Sequence, residues 1–585
     1  MGPRELITIQ CGHFSNFVGT HFWNIQESTF CYDINQASSR VKEIDHDVLY
    51  REGKTIMNEV TYTPRLIAID LKGSLKTLSV EGILYDCNTV EESADVRWAG
   101  DVTLHKAGSL PKNQFLIDLE KQDELFGGTT SNEEDNSSQE ADTTEMDEDK
   151  MNEELMELGI EEKVYDLDDS VEVWSDFLRC HLHPKSVAVI KEYTHESELE
   201  PFEIFSQGMN LWKDGKVSDQ MEDRLHFYTE ECDHLQGFQV LVDFYNGFSG
   251  FGSGLLESLS DEYGSKGIIT VGVSPSQFPE GIPKHDSQHT INAALAFQNL
   301  AESSSLFTPV SLAETLWRKP GPPINFQNLV YKPNLNYHTS AILASVLDTA
   351  TLSLRLEGAS YPLYQLTDAL STMGRKVATL NASFPFAMTQ DQALSSVFCN
   401  HGDRPFWKCL TPHSNQNLAP FVQSVLLRGV SERKLNIRNN GIPKTSLDAC
   451  STTEDMLQMY LMGAYSRTRN SGKVVTEPSK VATPYPRIFP PTLDKDGFTF
   501  SPGQEKPEVT RSVPMVTSIQ STPGLQTTLE TLHKEAKKLD IKKFNTYEQY
   551  GLESDDYNES LEKLIDLCRC YSTQSFNSDS SSDED

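Results

Sequence analysis

A glycine-rich turn directly after an apolar segment is the pattern in this chain with the clearest chemical meaning. Residues 238–244 read FQVLVDF, which is typical of a buried strand, and a helix is predicted over 255–263. The small residues between them are Gly250, Gly252, Ser253 and Gly254. A strand, a glycine-rich turn and a helix can bind a phosphate, because glycines let backbone N–H groups approach the anion and the helix N-terminus adds its positive dipole end. Ordinary tight turns also contain glycines, so the turn alone is weak evidence for this chemistry.

Three separate segments, in the right order, resemble tubulin. Residues 232–239 read CDHLQGFQ and precede the glycine-rich turn, residues 4–12 read RELITIQCG, and residues 334–336 read NLN before a long apolar helix. The resemblance implies an α/β, tubulin-like architecture. Its expected parts are a Rossmann-like parallel-sheet N-terminal domain, a long central helix, a smaller α+β second domain and a helical and disordered acidic C-terminus.

Two further segments resemble the misato family of tubulin relatives. Residues 173–178 read VWSDFL and residues 181–184 read HLHP, and a long acidic insertion precedes both. On these motifs the chain is identified as a member of that family. The resemblance implies a role in mitochondrial distribution, morphology and fusion, and in some organisms in microtubule assembly and chromosome segregation.

The resemblance to tubulin also implies a GTP or GDP site that is only partly kept. The residues that would form this site are Gln10, Gly12, His13, Gly250, Gly252, Ser253, Gly254 and Asn336. His13 stands where tubulin uses a glutamine to reach the phosphates and magnesium, and neutral imidazole is a poorer fit to hydrated Mg²⁺. Phe251 replaces a phosphate-contacting threonine, and Lys332 replaces a tyrosine that stacks on guanine. Two hypotheses therefore stay open: a bound guanine nucleotide, and a tubulin-like fold without one.

The segment that resembles tubulin's catalytic loop has lost its polar residues. Tubulin carries GxxNxD there, and an acidic residue positions the attacking water. Here Gly358 is kept, but Tyr361 and Leu363 stand at the Asn and Asp positions. Leucine can neither orient water nor act as a base. We therefore predict that the chain is not an enzyme, has no catalytic residues and does not form tubulin-like polymers.

The composition excludes several classes of partner. The formal net charge is −36, so phosphate groups of nucleic acid or of anionic lipids would be repelled. Residues 131–162 hold fourteen acids and one lysine, which predicts a disordered acidic insertion. Such segments can hold much of the charge while the folded surface is closer to average.

The cysteines and histidines give no convincing metal motif. The ten cysteines lack a CxxC pair and indicate free thiols in a reducing compartment. His181 and His183 would share one face of a strand, with Cys180 and His195 nearby, but without a second pair of ligands at proper spacing a structural role is favoured. No metal site is predicted from the sequence.

The segments predicted along the chain follow the tubulin resemblance and the local composition. They are a nucleotide-binding-type domain at 1–330 with the insertion at 131–162, a central helix at 331–357, a second domain at 358–470, a Pro/Ser-rich connector at 471–525, helices at 526–570 and an acidic serine tail at 571–585.

The expected location follows from the lack of targeting signals and from the family resemblance. No signal peptide and no run of about 18 apolar residues is visible, so a cytoplasmic protein with only peripheral membrane contact is expected. The resemblance to the misato family implies that this contact is with the mitochondrial outer membrane. The expected partners are proteins of that membrane surface, with no nucleic acid and no transmembrane insertion. The alternative function is microtubule assembly or tubulin folding, with tubulin or the cytosolic chaperonin as partner, and a GTPase switch is disfavoured.

Overall fold

A computed structural model places most of the chain. It describes residues 4–30, 43–54, 60–78, 111–126, 163–278, 283–358, 361–401, 405–435, 445–500 and 509–572. The predicted acidic insertion at 131–162 lies outside these ranges, as does most of the predicted tail at 571–585. Within these ranges, no helix is both long enough and apolar enough to cross a bilayer.

The N-terminal half of the protein is built on a six-stranded parallel sheet, which confirms the predicted α/β fold. Its strands are β1 (Leu6–Cys11), β4 (Leu66–Lys72), β5 (Val187–Thr194), β6 (Gly237–Asp243), β7 (Gly267–Val273) and β8 (Leu306–Val310), and a separate hairpin pairs β2 (Tyr50–Lys54) with β3 (Val60–Pro64). The six strands run in the order β5-β4-β1-β6-β7-β8. Nearly every residue of the central strands is buried, as expected for a sheet covered on both faces.

Helices cover both faces of this sheet. Successive residues of β1 alternate between the two hydrophobic cores, so that Leu6 joins one and Ile7 the other. The helices of this half are α1 (His13–Thr29), α2 (Gln114–Phe126), α3 (Phe205–Lys213), α4 (Lys216–Glu230), α5 (Gly247–Glu262) and α6 (Pro283–Ser303). Helix α1 lies on one face, while α3, α5 and α6 lie on the other.

The central helix is shorter than predicted. Helix α7 (Asn336–Ala350) is followed by a 3₁₀ turn over Leu352–Arg355, compared with the predicted span of 331–357. Every residue from Tyr337 to Ala350 is buried, because α7 packs between α1 and the second sheet. This placement explains why the sequence of the helix is hydrophobic on most faces.

The second sheet has five strands. The remaining strands and the helices of this part are α8 (Leu363–Leu370), β9 (Thr379–Ser383), α9 (Leu394–His401), β10 (Lys408–Cys409), β11 (Val422–Arg428), α10 (Thr453–Ala464), β12 (Arg469–Val475), β13 (Ser479–Lys480), β14 (Ser512–Val513) and β15 (Met515–Ser521). The strand order is β10-β9-β15-β11-β12, so β15 is the central strand, although it falls inside the predicted connector at 471–525. Its sequence MVTSIQS is half polar. Because its Ser and Thr residues are buried as well, the hydrophobic pattern does not indicate that the whole strand is buried.

The C-terminal helices return to the first half of the protein. They are α11 (Leu525–Lys537), α12 (Asn545–Gln549) and α13 (Ser554–Arg569), close to the span predicted for them. Helices α11 and α13 pack on α6 and extend the core on that face. Tyr571, predicted to begin the tail, is fully buried, and its hydroxyl donates to the carbonyl of Val377 at 2.7 Å.

A buried charge network joins α1, α7 and the second sheet. The Asp348 carboxylate on α7 accepts from Arg355 at 2.7 Å, from Arg428 of β11 and from Gln26 of α1 at 2.6 Å. Asp348, Arg355 and Arg428 are each at most 2% exposed at the side chain. Burial raises the pKa of Asp348, but the two guanidinium groups outweigh burial and hold that pKa below its ordinary value of 3.8. The Asp348 carboxylate is therefore charged in the folded protein, because Arg355 and Arg428 offset the effect of its burial.

We expect Asp348→Asn to lower the free energy of unfolding by about 3–5 kcal/mol at neutral pH, because it leaves two buried guanidinium groups without their anion. Urea unfolding followed by tryptophan fluorescence measures the difference. The folded-state pKa is depressed, so this stabilisation is present above pH 3.8 and is lost as the pH falls through the folded-state pKa.

The matched control is Arg569→Gln in the exposed pair of Arg569 with Asp566, where both side chains are more than two-thirds exposed. Its effect should stay below about 1 kcal/mol. An Asp348→Asn protein as stable as the Arg569→Gln protein would contradict the stabilising role of the buried network.

Candidate functional site

Four polar side chains meet where adjacent parallel strands end. Strands β5, β4, β1 and β6 are neighbours, and their carboxyl ends carry His195, Asp70, His13 and Asp243. In open α/β sheets the crevice at the carboxyl ends of the strands is the usual ligand site. Of these four residues, the sequence predicts only His13 as part of a site, because no motif points to the other three, which join it through the order of the strands.

The Asp243 carboxylate occupies the N-terminus of α1. Its Oδ2 accepts from the backbone N–H of Phe14 at 3.1 Å, and its Oδ1 accepts from both the N–H and the hydroxyl of Ser15 at 2.7 Å. These are the donors that a helix N-terminus offers to a bound phosphate. Burial raises the pKa of Asp243 to about 6, against the opposing effect of the Ser15 and Phe14 hydrogen bonds. The N–H groups of Phe14 and Ser15 form what we call the α1 cradle, and an anion of the protein itself thus occupies it.

The lack of a side chain at Gly12 lets the Asp243 carboxylate lie close to the start of α1. Its φ is +121°, a conformation that favours glycine, and a Cβ there would lie 2.4 Å from Cγ of Asp243. Gln10, another expected site residue, does not reach the cradle. Its side chain is buried beside Gly19 of α1, where its Nε2 has no hydrogen-bond partner among the described residues.

The predicted glycine-rich turn is the body of α5. The first three backbone N–H groups of this helix donate within the protein: Gly247 to the carbonyl of Phe202 at 3.2 Å, Phe248 to Oδ1 of Asn246 at 3.0 Å, and Ser249 to the carbonyl of Asn246 at 3.1 Å. The Phe202 ring covers Gly247, where a Cβ would lie 2.8 Å from the ring carbons. These amides are capped by neighbouring groups rather than presented to solvent.

The glycines of α5 serve close packing. A Cβ at Gly250 would lie 1.9 Å from the carbonyl oxygen of Phe205 in α3. A Cβ at Gly252 would lie 2.7 Å from Val242 of β6, and one at Gly254 would lie 2.5 Å from the Trp212 ring. The Ser253 hydroxyl donates to the carbonyl of Ser249 at 2.7 Å. All four predicted phosphate-loop residues are buried against protein.

The residues expected around the guanine base do not form a base pocket. Asn336 begins α7 and is half-buried, and its side chain forms no hydrogen bond with any part of the chain that the structure describes. Lys332 pairs with Asp168 at 2.7 Å rather than stacking as an aromatic ring would. In the segment that resembles tubulin's catalytic loop, Leu363 is fully buried. Its side chain packs against Gly237 and Gly267 and fills the space that a Cβ at either glycine would need.

The described residues therefore do not fit a guanine nucleotide. Asp243 places negative charge where a phosphate would bind. A phosphate and a carboxylate next to each other in a buried site repel strongly. The Phe202 ring and the backbone of α3 lie so close to Gly247 and Gly250 in the first turn of α5 that not even a Cβ would fit there. No chemical step through GTP follows from this arrangement.

A second group in the same crevice consists of His13, Asp70 and His195. Nδ1 of His13 lies 3.0 Å from Oδ2 of Asp70, and the two imidazole rings have centroids 4.0 Å apart. Burial lowers the pKa of His13, but the Asp70 charge and hydrogen bond outweigh burial and raise that pKa. Burial and the charge on His13 lower the pKa of His195.

The histidines singled out in the sequence are separated in the structure. His183 stacks on Phe227 at 4.9 Å, and His181 lies 3.5 Å from Asp123. Cys180 is buried in the core. His195 alone reaches the strand-end crevice, so the grouping considered from sequence spacing does not form.

We expect Gly250→Ala to lower the free energy of unfolding by about 3 kcal/mol or more, because the added methyl group would overlap the backbone of α3. Gly463→Ala in α10 is the matched control, since nothing lies within 4 Å of its Cβ position. This control should gain up to about 1 kcal/mol from helix propensity. If urea unfolding without nucleotide shows both variants to be equally stable, Gly250 is not a packing residue.

Comparisons with known proteins agree with this architecture. The family model described as the Misato Segment II tubulin-like domain matches residues 4–121, and a tubulin domain model matches residues 166–356. Protein misato homolog 1 of Danio rerio is 40% identical over 593 residues, with 100% of this chain and 99% of the relative covered. The human protein of that name is 36% identical (97% and 98% covered), and Protein misato of Drosophila melanogaster is 30% identical (98% and 99% covered). The chain belongs to the misato family of tubulin-like proteins.

Proposed function

We propose that this chain is a non-enzymatic tubulin-like regulator of mitochondrial distribution, morphology and fusion. It acts peripherally at the cytosolic face of the mitochondrial outer membrane, through proteins of that surface. Membership of the misato family supports the mitochondrial role, which the sequence motifs already implied. The observation that carries the non-enzymatic part is the Asp243 carboxylate at the N-terminus of α1.

A nucleotide switch needs a pocket whose shape depends on the ligand. In this chain the α1 cradle is completed by Asp243, and the α5 amides are capped by Asn246 and Phe202. Both elements are thus ordered by the protein's own groups. We propose that the protein functions without bound GTP or GDP, and that partner binding supplies its regulation.

The loop that would complete a neighbouring catalytic site also supports this proposal. Leu363 begins α8 and is buried, and its backbone N–H donates to Gln236 at 3.1 Å. Tyr361 packs against the same core and its N–H donates to the carbonyl of Ser353 at 2.9 Å. The Leu363 side chain has no polar atom with which to position water for phosphoryl transfer, and the Tyr361 hydroxyl donates to the carbonyl of Gln365 at 3.3 Å.

We expect no GTP turnover by the purified full-length protein. The assay is steady-state phosphate release, with Asn336→Ala as the matched variant, since the side chain of Asn336 forms no hydrogen bond within the described protein and its removal should leave the fold intact. Background release from contaminants should be equal in both proteins. Turnover that falls in Asn336→Ala, or assembly into filaments with GTP, would show that the proposal is wrong.

We expect alkaline carbonate to move the protein from the mitochondrial pellet to the supernatant, because a peripheral protein held by other proteins loses its contacts when they are deprotonated. An integral outer-membrane protein in the same sample, which must stay in the pellet, is the control. Retention of this chain in the pellet would contradict peripheral attachment.

A tubulin-assembly role predicts a different order of events. If the chain acts with tubulin or the cytosolic chaperonin, its depletion should alter microtubules before the mitochondrial network changes. Rapid depletion followed by imaging of both structures in the same cells distinguishes the two roles. Mitochondrial change first supports the proposed function.

A further inference from the structure

At the ends of the neighbouring strands β5, β4 and β1, three side chains that can bind a metal lie close together. Asp70 lies near the end of β4, His13 follows β1, and His195 directly follows β5. One ligand atom from each residue lies within 4.8 Å of the other two. Residues this far apart in sequence come together because the carboxyl ends of parallel strands share one edge of the sheet.

The carboxylate of this group is held in a fixed orientation. Its Oδ2 accepts from the indole N–H of Trp174 at 2.8 Å and from the amide of Asn16 at 3.3 Å. Its Oδ1 accepts from the N–H of Leu71 at 2.8 Å. Metal sites use such outer hydrogen bonds to orient their ligands. A carboxylate with only 2% side-chain exposure and this many donors is built into the fold.

We propose that His13, Asp70 and His195 form a binding site for a divalent transition metal of the Zn²⁺ class. Two imidazole nitrogens and one carboxylate oxygen are a ligand set for zinc-like ions, whereas magnesium and calcium require oxygen ligands. Three protein ligands leave a fourth position for water or for a group of a partner.

The charge of the surroundings supports a cation at this point. Asp70 and Asp243 are both fully buried and border the same crevice, and Glu196 lies 3.8 Å from Nε2 of His195. A dication would offset this concentration of negative charge. The imidazoles are also within reach of solvent, because the side chains of His13 and His195 are 16% and 19% exposed. An ion can therefore enter without unfolding of the core.

The ligand atoms must move only slightly to bind. Zinc bonds of about 2.0–2.2 Å place tetrahedral ligand atoms roughly 3.4 Å apart, compared with a present limit of 4.8 Å. The 3.0 Å distance between Nδ1 of His13 and Oδ2 of Asp70 is already slightly shorter than that spacing.

The test is zinc titration of the full-length protein after removal of metal with a chelator. Calorimetry gives affinity and stoichiometry, and Co²⁺ in place of zinc gives a visible absorption that reports tetrahedral nitrogen and oxygen ligands. We expect one ion per chain. His195→Ala should weaken binding at least about tenfold and remove the Co²⁺ absorption.

Two further variants make the result specific. His183→Ala is the matched control, because His183 stacks on Phe227 outside the site, and it should bind as wild type does. Trp174→Phe keeps an aromatic ring but removes the N–H that positions Asp70, and it should weaken binding about 10–100-fold.

Two results would overturn the proposed metal site. The absence of a stoichiometric ion in the wild-type protein would overturn the proposal. So would equal zinc affinity in wild type and His195→Ala, which would place the bound ion at exposed thiols such as Cys399. Circular dichroism of each variant confirms that it is folded.

Discussion

The strand-end crevice depends on one buried carboxylate. Asp243 ends β6 and accepts three hydrogen bonds from Phe14 and Ser15 at the start of α1. In phosphate-binding folds the same donors are left for the ligand. Here the protein supplies the anion, and Gly12 gives the carboxylate room. The consequence is that α1 is anchored to β6 whether or not a nucleotide is present.

The rest of the molecule extends this ligand-independent order. Asp348 binds arginines from two segments and a glutamine from α1, and so ties the central helix to α1 and to the second sheet. The C-terminal helices pack on α6, and Tyr571 after them donates a buried hydrogen bond to the carbonyl of Val377. The tubulin architecture is thus held together by the protein's own groups, which agrees with the proposal that partner binding supplies its regulation. The proposed metal site is compatible with this view, because it lies in the crevice that the nucleotide would otherwise use.

The fold was largely predictable from sequence, whereas the site was not. The apolar runs of β6 and β7 and the apolar composition of α7 reveal a parallel sheet and a buried helix, because burial on all sides leaves a continuous hydrophobic signal. Strand β15 was hidden by its buried Ser and Thr residues. The glycines of α5 looked like a phosphate turn because sequence cannot distinguish a glycine that admits a ligand from one that admits another helix. Asp70 and His195 join His13 only through sheet topology, which no local pattern reports.

The most direct measurement is the nucleotide content of the native protein. The protein is purified without added nucleotide and denatured, and any released nucleotide is identified by chromatography and compared with the protein concentration. The closed cradle at Asp243 predicts far less than one guanine nucleotide per chain. One GTP or GDP per chain would mean that Asp243 and Phe202 move aside, and would contradict a cradle that the protein fills with its own carboxylate.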